Sequence, residues 1–168
     1  MIKSFDGKNP KIAPSVLVHE TACVIGDVEI GENSNVWPGA VIRGDVASIR
    51  IGKNVSIQDN CVVHADEDLI IGDNVLVGHT AVVHCKKIGN CIIIGNNATV
   101  LDGAEVGNYC IVAAGCTVAP NTKIPDRSLV VGTPGKIKSE VSTEQMTRLK
   151  DGPVRYAELA RKYKKQGF

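Results

Sequence analysis

The sequence is poor in aromatic residues and contains no long apolar run. Aromatic side chains make up 4% of the 168 residues, with one tryptophan, three tyrosines and two phenylalanines. No stretch approaches the roughly 18 apolar residues that a membrane span requires. Residues 1–14 also lack the apolar segment of a secretory signal. We therefore expect a cytoplasmic protein that does not enter a membrane.

Neither sign of charge is in excess. Lysine plus arginine number 19, and aspartate plus glutamate number 18. A chain of this balance provides no strongly basic surface for nucleic acid or for an anionic membrane, so we expect neither as a partner. The length suits one domain with a substantial core and a short appendage.

Cysteine is present but not in a pattern that suggests cross-linking. The chain has six cysteines and no pair spaced as Cys-x-x-Cys. Since no secretory signal is recognisable, we expect these thiols to be reduced. Cys61, Cys110 and Cys116 occupy positions where the repeat described next needs a small core residue, and a buried free cysteine behaves as a small hydrophobe.

An aliphatic residue recurs every six residues over about residues 12–135, with three breaks in phase. Six is neither a helical nor a simple strand period, and it predicts a parallel β-helix in which three hexads form one triangular coil. Each aliphatic side chain should point into the prism. The aliphatic positions are Val18, Val24, Ile30, Val36, Ile42, Ile51, Ile57, Val63, Ile71, Val77, Val83, Ile88, Ile94, Val100, Val106, Val112, Val118, Ile124 and Val130.

The pattern stops after residues 132–135. We therefore divide the chain into a β-helix with its N-terminal lead-in, residues 1–138, and a helical appendage, residues 139–168. Ser142 and Gln145 have the spacing of a capping box that begins a short α-helix. Pro153 is suited to the first turn of a second helix.

The repeat places two histidines in one column. His64 follows Val63 and His84 follows Val83, and these two valines are one coil apart. Parallel strands lie about 4.8 Å apart, so outward-pointing imidazoles on successive coils can share an ion. Arg43 belongs to the same column, one coil earlier.

His79 belongs to a second column, near another face, together with Asp59 one coil earlier. We predict that His64, His79 and His84 bind a metal, because three neutral imidazoles with an open fourth position form a catalytic zinc site. Imidazole also suits iron and cobalt, so Zn²⁺ is expected and Fe²⁺ or Co²⁺ is possible.

The two columns diverge within one chain, whereas a threefold assembly would press one column against the other column of a neighbour. The hypothesis is a homotrimer in which His64 and His84 come from one subunit and His79 comes from the next. Arg43 of one chain would then face Asp59 of its neighbour, a charge pair that fixes register more than it adds affinity.

The chain contains the motifs Arg43-Gly44-Asp45, Ser56-Ile57-Gln58-Asp59-Asn60, His64, Gly78-His79 and His84. At these motifs it resembles the γ-class carbonic anhydrases. The resemblance implies an all-β, left-handed parallel β-helix, a homotrimer with metal at the subunit interfaces, and reversible hydration of CO₂ to bicarbonate by a metal-bound hydroxide.

The resemblance also implies roles for single residues. Gln58 would orient the hydroxide or the substrate, and Arg43 would hold bicarbonate with Asp45 and Asp59 as ionic partners. Without the resemblance, we would interpret Arg43, Asp45 and Asp59 as an ionic network at the subunit interface.

The sequence departs from the best-studied members of this family, which have a long acidic insertion between the first two histidines. Only residues 65–68 stand there in this chain. Glu67 could still relay protons, or could belong to a solvated turn. Tyr156 resembles a tyrosine that approaches the metal in shorter relatives, and its alternative role is helix packing.

Two other functions fit a hexapeptide protein. One is acyl transfer or a related thioesterase reaction, since residues 132–135 resemble the end-of-prism turn of hexapeptide acyltransferases, which generally use a single catalytic histidine. The other is a non-catalytic trimeric scaffold held together by metal. The metal content of the purified protein separates the first alternative from a carbonic anhydrase, and a CO₂ hydration assay separates the second.

Overall fold

The computed structural model describes residues 1–168 as a parallel β-solenoid followed by one α-helix. In chain order the elements are β1 (Ile2–Lys3), β2 (Lys11–Ile12), β3 (Leu17–Val18), β4 (Cys23–Ile30), β5 (Asn35–Val36), β6 (Val41–Ile51), β7 (Ser56–Ile57), β8 (Val62–His64), β9 (Leu69–Ile71), β10 (Val75–Val77), β11 (Val82–Val83), β12 (Lys87–Ile88), β13 (Ile92–Ile94), β14 (Thr99–Val100), β15 (Glu105–Val106), β16 (Ile111–Val112), β17 (Thr117–Val118), β18 (Lys123–Ile124), β19 (Ser128–Val131), β20 (Lys136–Glu140) and α1 (Thr143–Lys165).

The strands form three faces of a prism. The first face contains β8, β11, β14 and β17, and the second contains β9, β12, β15 and β18. The long strands β4 and β6 run across the corner between these two faces and pair on both of them. The third face is a separate sheet with the order β20-β19-β16-β13-β10-β7-β5-β3. All pairs are parallel except β19 with β20.

The repeat positions form the core, as predicted. Every aliphatic residue of the six-residue repeat is buried except Val18, which is half-buried. Small residues such as Ala81, Ala98 and Cys116 fill the remaining space and are also fully buried. The all-β fold with a parallel β-helix and a C-terminal helix is therefore confirmed, and all six cysteines are free thiols.

The three breaks in phase fall at the corner between the first and second faces. The chain takes nine residues from Ile42 to Ile51 and eight from Val63 to Ile71, but only five from Val83 to Ile88. Extra residues in two successive coils and a shortened corner in the next make this edge irregular. The histidines of the first column lie here.

The C-terminal region differs from the prediction in two respects. A single helix of 23 residues replaces the two predicted helices, with Pro153 in its interior. Burial of Leu149, Gly152 and Pro153 against the prism, together with Ala157 and Ala160 in the next turns, holds the helix continuous although Pro153 cannot donate its i→i−4 hydrogen bond. The predicted capping box at Ser142 and Gln145 is present.

Helix α1 covers the outer side of the third face, where it contacts β3, β5, β7 and β10. Its last turns are tied to the start of the solenoid, because the Nζ of Lys164 donates to the carbonyls of Pro14 and Val16 at 2.7 and 2.9 Å. No helix of the chain combines the length and hydropathy needed to cross a bilayer. Strand β20 runs across residue 138, the predicted boundary, so the division at that residue stays a prediction.

Candidate metal centre

The structure brings His64 and His84 together, as the repeat predicts. Strand pairing aligns Val63 with Val83 and Arg43 with His64. The Nδ1 atom of His64 lies 3.1 Å from the Nε2 atom of His84, and the ring centroids are 5.1 Å apart. The His64 side chain is nearly buried, whereas that of His84 is partly open to solvent.

In each ring, the nitrogen that faces the other histidine is called the inner nitrogen, and the second one the outer nitrogen. A carboxylate accepts a hydrogen bond from each outer nitrogen. The Nε2–H of His64 donates to Oδ1 of Asp45 at 3.0 Å, and the Nδ1–H of His84 donates to Oδ1 of Asp102 at 2.5 Å. In a neutral ring, such a bond places the proton on the outer nitrogen and leaves the inner nitrogen with a lone pair. Histidines that ligate metals show this arrangement, in which the second ring nitrogen donates to a carboxylate.

The donor set fits a divalent transition metal. Two nitrogens each about 2.05 Å from a tetrahedral zinc ion are about 3.3 Å apart, close to the separation of the two inner nitrogens. If both imidazoles are neutral, two lone pairs face each other with no proton between them, a repulsive contact that a shared cation removes. Asp66 completes a group of three ligand atoms that all lie within 4.8 Å of one another.

His79 lies at a different corner, between the third and first faces, and does not belong to this group of three. Its Nδ1 is 2.8 Å from Oδ2 of Asp59, so these two form the predicted second column. The side chain is 46% exposed. Gly78 is required before it, because a Cβ there would collide with Oδ1 of Asn96, and Thr80 makes the turn with φ of 59°.

Arg43 and Asp45 form an ion pair at the edge of the metal centre. Partial burial opposes ionisation of Asp45, but hydrogen bonds from Arg43, from its own backbone amide and from His64 outweigh it and hold the pKa of this carboxyl below its usual value. Asp45 is therefore an anion at neutral pH, shared between a guanidinium and an imidazole. Its negative charge stabilises the proton on the outer nitrogen of His64.

A cavity of about 230 Å³ opens beside His84. Asp66, Glu67 and Asp102 line it, together with the buried Cys85. Burial raises the pKa of the Cys85 thiol to about 12, so this thiol is protonated at neutral pH. The polar lining of the cavity is consequently acidic apart from His84.

Comparisons with known proteins identify relatives over most of the chain. The family described as "Bacterial transferase hexapeptide (six repeats)" matches residues 9–44. The "Probable carbonic anhydrase" of Methanocaldococcus jannaschii is 44% identical over 151 residues, which are 89% of this chain and 95% of that protein. "Gamma carbonic anhydrase 2, mitochondrial" of Arabidopsis thaliana is 39% identical over 168 residues and 95% of this chain.

The chain belongs to the γ-class carbonic anhydrase family. It spans only 60% of the length of the Arabidopsis relative. Among solved structures, a Bacillus cereus protein named as a candidate acetyltransferase superposes with a TM-score of 0.96 and 37% identity, over 99% of this chain and 98% of that one. Names within this fold therefore include both carbonic anhydrases and acyltransferases.

The other residues that the γ-class resemblance singled out are spread over the prism. Gln58 is buried directly after β7, where its backbone carbonyl accepts a hydrogen bond from the backbone amide of Cys61. Glu67 is exposed at the mouth of the cavity. Tyr156 packs on the third face, with its ring 6.1 Å from that of Trp37. Their catalytic roles, like those of Arg43, Asp45 and Asp59, stay predictions.

Sequence reasoning missed two residues that lie beside the His64–His84 pair. Asp102 is one of them, although one more coil of the repeat leads to it: Val100 pairs with Val83, so Leu101 is level with His84 and Asp102 is the next residue. Asp66 is the other. It lies in the eight-residue step from Val63 to Ile71, where the six-residue period is broken. No pattern in the sequence could therefore place it.

Proposed function

We propose that this protein is a metal-dependent carbonic anhydrase that hydrates CO₂ reversibly to bicarbonate. The observation that carries the proposal is the facing pair of inner nitrogens on His64 and His84, each imidazole anchored by a carboxylate on its outer side. Membership of the γ-class family supports the same reaction.

The chain's own residues would hold the ion and set its surroundings. His64 and His84 supply two neutral nitrogens, and the carboxylates of Asp45 and Asp102 keep both rings in the tautomer that ligation needs. A bound Zn²⁺, Fe²⁺ or Co²⁺ would supply Lewis acidity, which for zinc lowers the pKa of water to about 7 and so provides the nucleophile for CO₂.

Four further residues are proposed to act on the substrate, the protons or the ion. Arg43 is half-exposed beside His64 and would attract bicarbonate, while Asp45 holds the guanidinium in place. Glu67, at the mouth of the cavity, would pass protons to solvent. Gln58 would orient the nucleophile, and Tyr156 would reach the ion only if assembly brings α1 of a neighbouring chain towards it.

A homotrimer is part of the proposal, and the outer surfaces of the three faces support it. The third face is covered by α1 over β3, β5, β7 and β10. The second face presents a column of charged residues with only Ile70 apolar. The first face presents Val41, Val62 and Val82 in one column, all partly or fully exposed. An apolar face of this kind favours burial against a neighbour.

The first face also has the two histidine columns at its opposite edges. A threefold arrangement that packs it against a neighbouring subunit would bring His79 to the His64–His84 pair and complete a three-imidazole site. The exposure of His79 in the single chain agrees with this assignment.

Stopped-flow measurement of CO₂ hydration tests the activity. We expect hydration above the buffer rate in protein loaded with zinc, cobalt or anaerobic iron, and loss of it in His64→Ala and His84→Ala. His19→Asn is the matched control, since this fourth histidine bonds Thr21 outside the centre and its substitution should spare the rate. Hydration at the buffer rate with every metal, in protein that binds the metal, would contradict the proposed reaction and favour a scaffold.

Subunit mixing tests the shared site. We expect His79→Ala chains and His64→Ala/His84→Ala chains to be inactive when each is expressed alone. Co-expressed in equal amounts, they should regain about a quarter of the active sites, because a complete site needs one chain of each kind in a fixed order around the threefold axis. No recovery in assembled mixed trimers would place all three histidines in one chain.

Acyl transfer is the second candidate, favoured by the name of the Bacillus cereus structure. It needs one basic histidine and no metal between two imidazoles. Purified protein without bound metal that transfers acyl groups from coenzyme A thioesters would support it.

A further inference from the structure

We propose that Arg155 of one subunit lies at the mouth of the neighbouring subunit's metal cavity and forms an ion pair there with Asp66. The pair places a guanidinium beside an acidic opening through which bicarbonate enters and leaves. The inference rests on the homotrimer of the proposed function, in which His79 of one chain meets His64 and His84 of the next. It leaves that three-imidazole site unchanged and adds a contact from α1.

Arg155 is the arginine of α1 that has no partner within its own chain. Arg148 pairs with Glu144 at 2.7 Å, and Arg161 donates to the side-chain oxygen of Asn33 at 3.3 Å. Arg155 is exposed and makes no ion pair or side-chain hydrogen bond, although acidic residues stand four positions before it and three positions after it. Its guanidinium therefore has five N–H donors available to a neighbour.

The flank of α1 that carries Arg155 faces the corner of the second histidine column. Arg161 marks the other flank, because it reaches the corner between the second and third faces. Residues six positions apart lie about 120° from each other around a helix, so the two arginines border the exposed side of α1 on opposite edges. Arg155, Tyr156 and Leu159 line an open hollow of about 200 Å³, and Tyr156 packs on Trp37.

Arg155 also lies at the height of the coil that carries Asp66. Gly152 packs on Leu76 in β10, where a Cβ would be 2.6 Å from Cδ1 of Leu76. Three further residues of α-helix span about 4.5 Å, close to the spacing of about 4.8 Å between coils, so Arg155 is level with β7. The coil of β7 continues through β8 to Asp66. A closed threefold assembly along the solenoid has no translation, so residues of equal height meet across the seam.

The two surfaces have opposite charge. Helix α1 contains seven basic and three acidic residues. Asp66, Glu67 and Asp102 line the cavity, and no lysine or arginine does. The carboxylate of Asp66 is 74% exposed, and its one ionic contact in the chain is with His84 at 4.0 Å. Complementary charge fixes the partner and the register of an interface, so the occupant of this opening is α1 of a second copy.

Asp66 is the acidic residue of its segment that suits this pair. Asp68 already accepts hydrogen bonds from the backbone amide and the hydroxyl of Ser48, at 3.0 and 2.6 Å. Pairing at Asp66 also leaves Glu67 free to pass protons. A cavity lined by carboxylates repels bicarbonate, and a guanidinium beside one of them reduces that repulsion. Arg155 therefore acts on the entry and release of the anion rather than on the chemical step.

Subunit exchange between tagged and untagged trimers, followed by native mass spectrometry, tests the pair without an activity assay. Arg155→Asp and Asp66→Arg should each speed exchange at low salt by about fivefold or more, because each places like charges at three seams. Both changes in one chain should restore exchange to within about twofold of the unchanged protein. Lys162→Asp with Asp66→Arg is the matched control, since Lys162 is exposed two helical turns further along the same flank, and it should not restore exchange.

Two results would overturn the pair: a double variant that exchanges as fast as the faster single variant, or equal restoration by Lys162→Asp. If a charge reversal prevents assembly, Arg155→Ala and Asp66→Asn are compared singly and together, and fully additive effects would show that the two residues do not interact. An unchanged protein that is monomeric would refute the pair whether or not it hydrates CO₂. Trimers that pass this test without hydrating CO₂ would refute the proposed reaction and leave the pair in place.

Titration of the Co²⁺-loaded protein with bicarbonate, read by visible absorption, tests the effect on the anion. Arg155→Ala should weaken bicarbonate binding by about threefold at low salt, and high salt should reduce the difference. Lys162→Ala should bind bicarbonate as the unchanged protein does. Equal affinity in Arg155→Ala and the unchanged protein would overturn the role of Arg155 in anion passage.

Discussion

The inner nitrogens of His64 and His84 lie 3.1 Å apart although the two residues are 20 positions apart in the chain. The separation follows from the coil of the solenoid, which sets β8 and β11 side by side in register. Each ring is turned by a carboxylate on its far side, so the two lone pairs point at one place. Because the carboxylates of Asp45 and Asp102 orient the two rings, substituting either of them should change metal affinity, as substituting a histidine should.

Asp102→Asn should lower metal affinity by about 10- to 100-fold, the usual cost of losing an outer-shell carboxylate. The substitution keeps the shape of the side chain but removes the charge that favours a proton on Nδ1 of His84. Chelator competition with Zn²⁺ measures the change. Asp151→Asn, at an exposed position on α1, is the control and should bind zinc as the unchanged protein does. Equal affinity in the two variants would show that Asp102 does not position His84.

The core position of the repeat can be compared with its exposed neighbour on the same strand. Ile71 is 1% exposed and Ile70 is 53% exposed. Ile71→Ala should lower the free energy of unfolding by about 2–5 kcal/mol, because it leaves a cavity in a close-packed prism. Ile70→Ala should change it by no more than about 0.5 kcal/mol. Denaturant unfolding measures both, and similar losses would argue against the assigned register.

Cys91 follows a column of asparagines at the corner between the second and third faces, and Tyr109 and Arg127 take the same position in the next two coils. Its φ is 55°, close to the 54° of Asn54 and the 58° of Asn74 in the two preceding coils. The side-chain amide of Asn54 donates to the side-chain oxygen of Asn74 at 3.1 Å. Asparagine tolerates the left-handed region better than other residues with a side chain. Cys91→Asn should therefore stabilise the protein by about 1 kcal/mol.

Cys91→Val provides the contrast, since a β-branched side chain is strained in that backbone conformation and should lower the melting temperature. Thermal unfolding of both variants checks the sign. A lower melting temperature for Cys91→Asn than for the unchanged protein would contradict the explanation.

Asp27 should contribute to the acid stability of the solenoid. A hydrogen bond from Arg50 outweighs the opposing effect of burial, and with Lys8 it holds the pKa of Asp27 below its usual value. The Oδ1 of Asp27 lies 2.7 Å from the guanidinium of Arg50. A carboxyl whose pKa is lower in the folded state stabilises the fold above its unfolded pKa of about 3.9, and that stability is lost as the pH falls further.

Asp27→Asn should accordingly melt at a lower temperature than the unchanged protein at neutral pH, and the two curves should converge below about pH 4. Melting temperatures from pH 2 to pH 7 measure this. Asp151→Asn should show no such convergence. A constant difference across the range would mean that the ionised form of Asp27 is not what stabilises the fold.

The sequence alone predicts the prism and the histidine pair of the candidate metal centre. A strict six-residue period fixes which side chains point inward, and counting coils from Ile42 to Val63 and Val83 places Arg43, His64 and His84 in one column. The structure confirms that register. The same counting sets His79 apart from the pair, next to Asp59, and this is also what the structure shows.

The remainder depends on positions where the repeat is broken or absent. Asp66 lies in an eight-residue step, so no periodic rule gives its direction. Asp102 is one residue beyond the register partner of His84 and reaches the ring through its side-chain geometry. The predicted start of a second helix at Pro153 is wrong, because local propensity does not include the packing of Leu149 and Gly152 on the prism, which keeps α1 continuous.

An anomalous difference map at the zinc absorption edge, from crystals of the zinc-loaded protein, tests the shared ion between the two imidazoles most directly. We expect a peak within bonding distance of both Nδ1 of His64 and Nε2 of His84, at every copy of the chain. Ordered imidazoles at these two positions with no peak between them, in crystals that bind zinc elsewhere, would contradict it.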